Sequence, residues 1–230
     1  MLTVLVTGAN RGLGLEFVRQ YAADGAKIIA CARRPGEAKE LRDIAAGVDG
    51  RIAIHELDVA SDASVANLAR EVAGQPIDIL INNAGAYGGT HQRLGDIDYE
   101  GWLRTLSTNT LGPVRLTEAL RPNLVKGREK KVVAITSGMG STAQHDGAAL
   151  IYRSSKAALN NAMKGLAIAL KTDRISVAIL HPGWVRTDMG GANATLSTEA
   201  SISGLRKIVT SLTLSDSGRF LNHDGSEIPW

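Results

Sequence analysis

Apolar residues along this chain gather in short continuous runs, separated by longer stretches in which they recur every three or four positions. The runs cover residues 2–6, 27–32, 52–57, 77–81, 131–136 and 175–180 and have the length of strands. Helical periodicity covers residues near 13–24, 37–46, 62–73, 98–124 and 152–170. In the first of these, Leu15, Val18 and Ala22 share one face, while Glu16, Arg19 and Gln20 lie elsewhere. The runs are apolar throughout, so both faces of each strand are expected to be covered. Alternation of such strands with helices predicts an α/β fold, a doubly wound, mainly parallel sheet flanked by helices on both faces. Right-handed crossovers and a reversal of strand order then put the ligand crevice at the carboxyl ends of the strands. No internal repeat, low-complexity segment or linker interrupts the pattern, so residues 1–230 are expected to form a single domain.

The first run leads into Thr7-Gly8-Ala9-Asn10-Arg11-Gly12-Leu13-Gly14 and then into the first helical stretch. Strand, glycine turn and helix in that order suit a dinucleotide. Glycine lets the turn close and lets backbone approach a pyrophosphate, which then sits at the positive helix terminus. The spacing is Gly-x-x-x-Gly-x-Gly rather than the commoner Gly-x-Gly-x-x-Gly, and an ordinary strand-to-helix turn is the alternative on this motif alone. Far downstream, Tyr152 and Lys156 stand at i and i+4 and project from one face of a helix. A free phenol titrates near pH ~10, too high for a good base at neutrality, and a neighbouring ammonium favours the phenolate. By itself the pair also fits a surface tyrosine beside a solvated lysine.

The glycine turn, then Asn82-Asn83-Ala84-Gly85 after the fourth run, then Ser137 ahead of Tyr152 and Lys156, then His181-Pro182-Gly183, occur in order between residue 2 and about residue 189. This ordered set resembles the short-chain dehydrogenase/reductase family in its short single-domain type. The segment 182–191 and the ending Asp224-Gly225-Ser226-Glu227-Ile228-Pro229-Trp230 resemble its C-factor-like and sniffer-like carbonyl reductase branch. The resemblance implies a Rossmann-type sheet and hydride transfer between a nicotinamide and a carbonyl or alcohol. It implies that Tyr152 exchanges a proton with the substrate oxygen and that Ser137 hydrogen-bonds the same oxygen. Lys156 is implied to bind the nicotinamide ribose and to depress the tyrosine pKa. Asn109, in Ser107-Thr108-Asn109-Thr110-Leu111-Gly112-Pro113, matches the family's helix-kink asparagine, which supports a water chain to the lysine. A kink there is expected, because proline removes a backbone donor.

By the same resemblance, the cofactor contacts fall on Gly8, Asn10, Arg11, Gly12, Leu13 and Gly14 of the turn. Asp58 and Val59 end the third strand beside the adenine, and Asn82, Ala84 and Gly85 lie near the adenine ribose. Val185 and Thr187, after the Pro182-Gly183 turn, meet the carboxamide and pyrophosphate. Asp58 has a plainer alternative as a helix cap, although Ser61 is better placed for that. Cofactor choice can be read from residues: an NAD site places an acid at the end of the second strand, whereas this chain has Cys31-Ala32-Arg33-Arg34-Pro35. A guanidinium there suits a 2′-phosphate. Arg33 and Arg11 together favour NADP(H), with NAD(H) as the alternative and solvated loop arginines as the plain reading.

Composition narrows the classes further. The 230 residues are 44% hydrophobic and 21% charged, enough chain for one sizeable core. The net charge of +3 is scattered, which argues against nucleic acid. No stretch reaches the about 20 apolar residues of a membrane span. The chain enters its first strand at once, which leaves no room for a signal peptide. The lone Cys31 lies in an apolar run and fits a buried thiol and a cytoplasmic setting. Five histidines are dispersed without metal-ligand spacing, so no metal is expected. Ser141 rivals Ser137 but sits farther from the fifth strand, and Ser154 and Ser155 are expected to be helix-surface or packing residues. A lid is expected from about 190 to 212, hinged at Gly190-Gly191-Ala192-Asn193 and carrying a helix over 201–212. Tyr87, Met139, Leu150, Trp184 and Met189 are candidate walls of an apolar pocket, which favours a hydrophobic aldehyde or ketone. His145, Asp146 and Gly147 are read as pocket or solvent. The family's helices near 98–124 and 159–170 imply a homodimer or homotetramer. Two other readings are an epimerase or dehydratase, disfavoured because a longer carboxyl-terminal domain is lacking, and a cofactor-binding sensor with little turnover.

Overall fold

The computed structural model describes residues 1–230. Strand β1 (Thr3–Thr7) passes through the glycine turn into α1 (Gly12–Ala23) and on to β2 (Lys27–Ala32), α2 (Lys39–Ala46), β3 (Ile52–Glu56), α3 (Asp62–Glu71) and β4 (Ile79–Asn82). A small hairpin, β5 (Gln92–Arg93) and β6 (Asp96–Ile97), precedes α4 (Tyr99–Leu106), a π-helical turn (Ser107–Leu111), α5 (Gly112–Ala119) and α6 (Arg121–Lys126). The chain closes with β7 (Lys131–Ile135), α7 (Leu150–Ala169), β8 (Ser176–His181), α8 (Thr198–Ser211) and β9 (Phe220–Asn222).

The sheet has seven strands in the order β3-β2-β1-β4-β7-β8-β9, and every neighbouring pair is parallel. The order reverses between β1 and β4, so a crevice opens at their carboxyl ends. Two hydrophobic clusters lie on opposite faces. Val4 and Val6 of β1 join Phe17, Leu41 and Leu205 on one face, and Leu5 joins Leu68, Leu116 and Met163 on the other. Alternate strand residues thus feed alternate cores, which is why the strand segments read as unbroken apolar runs.

All six expected strands are present, with ends displaced by a residue or two. The hairpin and β9 were not foreseen. The hairpin strands are two residues each, and β9 has three, too short to carry a periodicity. The expected helical stretch 98–124 is divided into α4, the π turn, α5 and α6, and the irregularity falls directly before Gly112-Pro113. Ser61 caps α3 by accepting from the Ser64 N–H at 3.2 Å. Helix α8 begins at Thr198, capped by Ser197, and its Ile202, Leu205 and Val209 are fully buried in the core beside α1. The helical part of the expected lid segment therefore packs one face into the core. No helix is long and apolar enough to cross a membrane.

Candidate active site

The glycine turn is built for close approach. Gly8 and Gly12 have φ of 64° and 53°, in the left-handed region. A Cβ on Gly14 would collide with the Gly8 carbonyl oxygen and the Asn83 side chain, so no other residue fits at this helix start. Thr7 and Asn83 weld the turn to β4. The Thr7 hydroxyl accepts from the N–H groups of Asn83 and Ala84 at 3.0 and 2.9 Å, and Asn83 Nδ2 donates to the Thr7 carbonyl at 2.9 Å. Neither was singled out from sequence; a threonine ending a strand before glycine was the available signal. The backbone donors of α1 thus face the crevice, a cradle that an added Cβ would fill and that fits a pyrophosphate.

Around this cradle the expected cofactor residues are spread along the strand ends. Arg33 is exposed after β2 and makes no ion pair, whereas its neighbour Arg34 reaches Glu37 at 3.4 Å. The exposed Arg11 instead pairs with Asp188, so the turn and the stretch after β8 are tied by charge. Thr187 packs its methyl toward Gly12, and Gly183 turns with φ of 81°. Asp58 accepts from the Ala60 N–H at 2.9 Å, forming a local turn at the end of β3. Val59 is buried against Gly112 of α5. Asn82 is buried, with Nδ2 toward the Thr117 hydroxyl at 3.4 Å and its Oδ1 unpartnered. Its side chain therefore points under α5.

Ser137, Tyr152, Lys156 and Asn109 come together from three elements. Ser137 follows β7 and accepts from the Met139 N–H at 3.1 Å, which starts a short turn. Ser141, its rival, is buried with its hydroxyl unpartnered. Tyr152 and Lys156 lie in the first two turns of α7, 8% and 4% exposed. Lys156 Nζ donates to the Ile135 carbonyl at 2.9 Å and lies 5.8 Å from the centre of the Tyr152 ring. Burial raises Tyr152 to about 12, with Ser137 pulling the other way, and burial lowers Lys156 to about 8. Each group resists its charged form because water is excluded, and the ammonium faces a carbonyl rather than the phenol. At neutral pH the phenol keeps its proton.

Asn109 sits in the π turn, fully buried. Its Oδ1 accepts from the Ala86 N–H, and its Nδ2 donates to the Ala86 carbonyl and to Ser155 Oγ, all at 2.8 to 2.9 Å. Ser155, expected as packing or surface, is fully buried and passes the chain on by donating to the Tyr152 carbonyl at 2.8 Å. One widened helical turn swings Asn109 inward to meet it. Ser154 accepts from Trp102 Nε1. Above Tyr152 lies the half-exposed Tyr87, ring centres 5.0 Å apart. Trp184 and Met189 are also exposed, and Trp184 Nε1 donates to the Gly190 carbonyl at 2.8 Å. His145 and Gly147 are exposed, and Asp146 meets the buried Arg153 at 2.6 Å. No three His, Cys, Asp or Glu side chains gather as a metal-ligand set.

A parallel sheet with a glycine cradle at its switch point, and a Ser-Tyr-Lys-Asn group beside it, defines a nucleotide-dependent oxidoreductase fold. The sequence profile of the short chain dehydrogenase family matches residues 2–196, and the chain belongs to that family of oxidoreductases. Among similar proteins, the C-signal of Myxococcus xanthus is 45% identical over 163 residues, 70% of this chain and 98% of that protein. The NADPH-bound carbonyl reductase from chicken fatty liver superposes with a TM-score of 0.91 at 33% identity, covering 99% of this chain and 98% of that one. Carbonyl reductase Sniffer of Drosophila melanogaster superposes with a TM-score of 0.92 at 33% identity over all of both chains.

Proposed function

We propose that this protein is an NADP(H)-dependent carbonyl reductase in which Tyr152 donates the proton and Ser137 and Lys156 support it. The observation that carries this reading is the buried Tyr152 set beside Ser137 and Lys156, at the strand ends that also carry the glycine cradle. A bound NADPH would supply the hydride to the carbonyl carbon. The remaining work belongs to the chain. Ser137 donates a hydrogen bond to the substrate oxygen and Tyr152 transfers its proton to it as negative charge builds there. Lys156 holds the nicotinamide ribose, Asn109 supports a water chain to it, and the stretch 186–197 covers the crevice and excludes water. The likeness to an NADPH-bound reductase and the unpaired Arg33 support the choice of NADP(H) over NAD(H). The half-exposed rings of Tyr87 and Trp184, with Met189, favour a hydrophobic aldehyde or ketone.

The test is consumption of NADPH, and of NADH in parallel, by purified protein over a panel of aldehydes, ketones and quinones. Turnover with NADPH, reduced about 10²- to 10⁴-fold in Tyr152→Phe with cofactor binding kept, is the expected result. Saturable NADPH binding without turnover of any carbonyl favours the second reading, a nucleotide-binding signalling protein, for which the likeness to C-signal speaks.

A further inference from the structure

Tyr152 is the third residue of α7, in the turn of a helix whose N–H groups have no partner within the helix. Such turns fray unless capped. The residue before α7 is Ala149, left-handed with φ of 50° and unable to cap, whereas α3, α4 and α8 are capped by Ser61, Asp98 and Ser197. A catalytic phenol placed there would sit on the least stable part of its helix. The missing partner comes from elsewhere in the chain. Gln92, from hairpin strand β5 and 3% exposed, accepts from the Tyr152 N–H through Oε1 at 2.9 Å. Its Nε2 donates to the carbonyls of Tyr87 and Gly89 at 2.9 and 2.7 Å. Its carbonyl and both amide protons are thereby used, which a shorter or apolar side chain cannot reproduce.

The loop so gripped is also pressed onto α7. Gly88 has φ of 89°, and a Cβ there would lie 2.6 Å from Ile151 Cγ2. Asn109 holds the other end of the loop through both backbone groups of Ala86. Between the two clamps the loop presents Tyr87, whose ring rests over that of Tyr152. We infer that Gln92 is a positioning residue of this site: its buried amide replaces the missing cap of α7 and holds Tyr152 and the substrate-side Tyr87 in one register. The inference rests on the reading of Tyr152 as proton donor, but the cap can be detected without turnover.

Amide hydrogen exchange at Tyr152 and steady-state kinetics would be measured for the wild type, Gln92→Met and Gln92→Glu. In the wild type the Tyr152 amide is expected to be protected, and rapid exchange there overturns the cap without any variant. Gln92→Met should speed that exchange about five- to tenfold, the consequence of losing a cap. It should lower kcat for carbonyl reduction roughly 10- to 100-fold through misplacement of the phenol, with the Kd for NADPH within about twofold. Gln92→Glu keeps an acceptor but loses both donors, so it should retain protection at Tyr152 while kcat stays low. Unchanged exchange and kcat in folded Gln92→Met overturn the proposal. Faster exchange in Gln92→Met, in a protein that reduces no carbonyl, would instead uphold the cap and defeat the assigned reaction.

Discussion

At the scale of single residues, Lys156 shows function and stability opposed. Its ammonium is buried with only the Ile135 carbonyl accepting from it, and burial lowers its pKa to about 8. Between that value and the ordinary pKa of about 10.5, the folded chain binds fewer protons than the unfolded one, so stability rises with pH across this window. Below about pH 8 the full cost is present, on the order of 3 kcal/mol. Lys156→Met is therefore expected to abolish turnover yet raise Tm at pH 7, with the gain shrinking as pH climbs from about 8 to about 10.5. Thermal melts across that range decide it, and a lowered Tm at pH 7 would sink the argument. Wild-type kcat/KM should also decline above pH ~8 if Lys156 holds the ribose as proposed, because it then loses the proton for that contact. Arg33 was legible as a partner for a 2′-phosphate because no acid stands at the end of the second strand. Ser155 was not legible, since its partner Asn109 is distant along the chain.

At the scale of elements, the π turn at Ser107–Leu111 is the decisive irregularity. A regular helix would continue the register of α4 into α5; the widened turn delivers Asn109 to the loop at Ala86. Asn109→Ala removes three buried hydrogen bonds and leaves the Ala86 groups without partners. Its expected cost is about 2–4 kcal/mol in a denaturant titration, with a fall in kcat larger than any change in NADPH affinity. Asn109→Asp keeps the acceptor toward the Ala86 N–H and should lose less stability at a pH where it is protonated. The position of this irregularity could be anticipated from Gly112-Pro113, because proline denies the helix a donor. The hairpin of β5 and β6 could not. Its strands are too short for any period to appear, and Gln92 has no local feature to distinguish it from a surface glutamine.

At the scale of the whole molecule, helix α8 joins the core to the crevice. Leu205 is fully buried in the cluster of α1, while Ser201 donates to the Pro182 carbonyl at 2.6 Å, beside the Pro182-Gly183 turn. Leu205→Ala should cost about 2–5 kcal/mol, read as a lower urea midpoint. If NADPH binds as proposed, cofactor at a hundred times its Kd should restore about 2.7 kcal/mol, because only the folded sheet assembles the cradle. A midpoint that ignores NADPH would separate the crevice from the fold.

Alternation of strands and helices, the doubly wound parallel sheet and the glycine turn at its switch point were all legible in the amino-acid pattern. These rest on periodicity and on residues adjacent in the chain, where backbone sterics and burial act locally. Through a family resemblance the sequence also singled out Ser137, Tyr152, Lys156 and Asn109, which the fold brings together. Tertiary packing, rather than the four-residue spacing, is what pushes Tyr152 up and Lys156 down, because the packed chain excludes water from both. It likewise set the pairing of Arg11 with Asp188, the burial of one face of α8 in the core, and the contact of Gln92 with the first turn of α7. Those contacts join segments far apart in the chain, and their energies exist only once the sheet has brought the segments together.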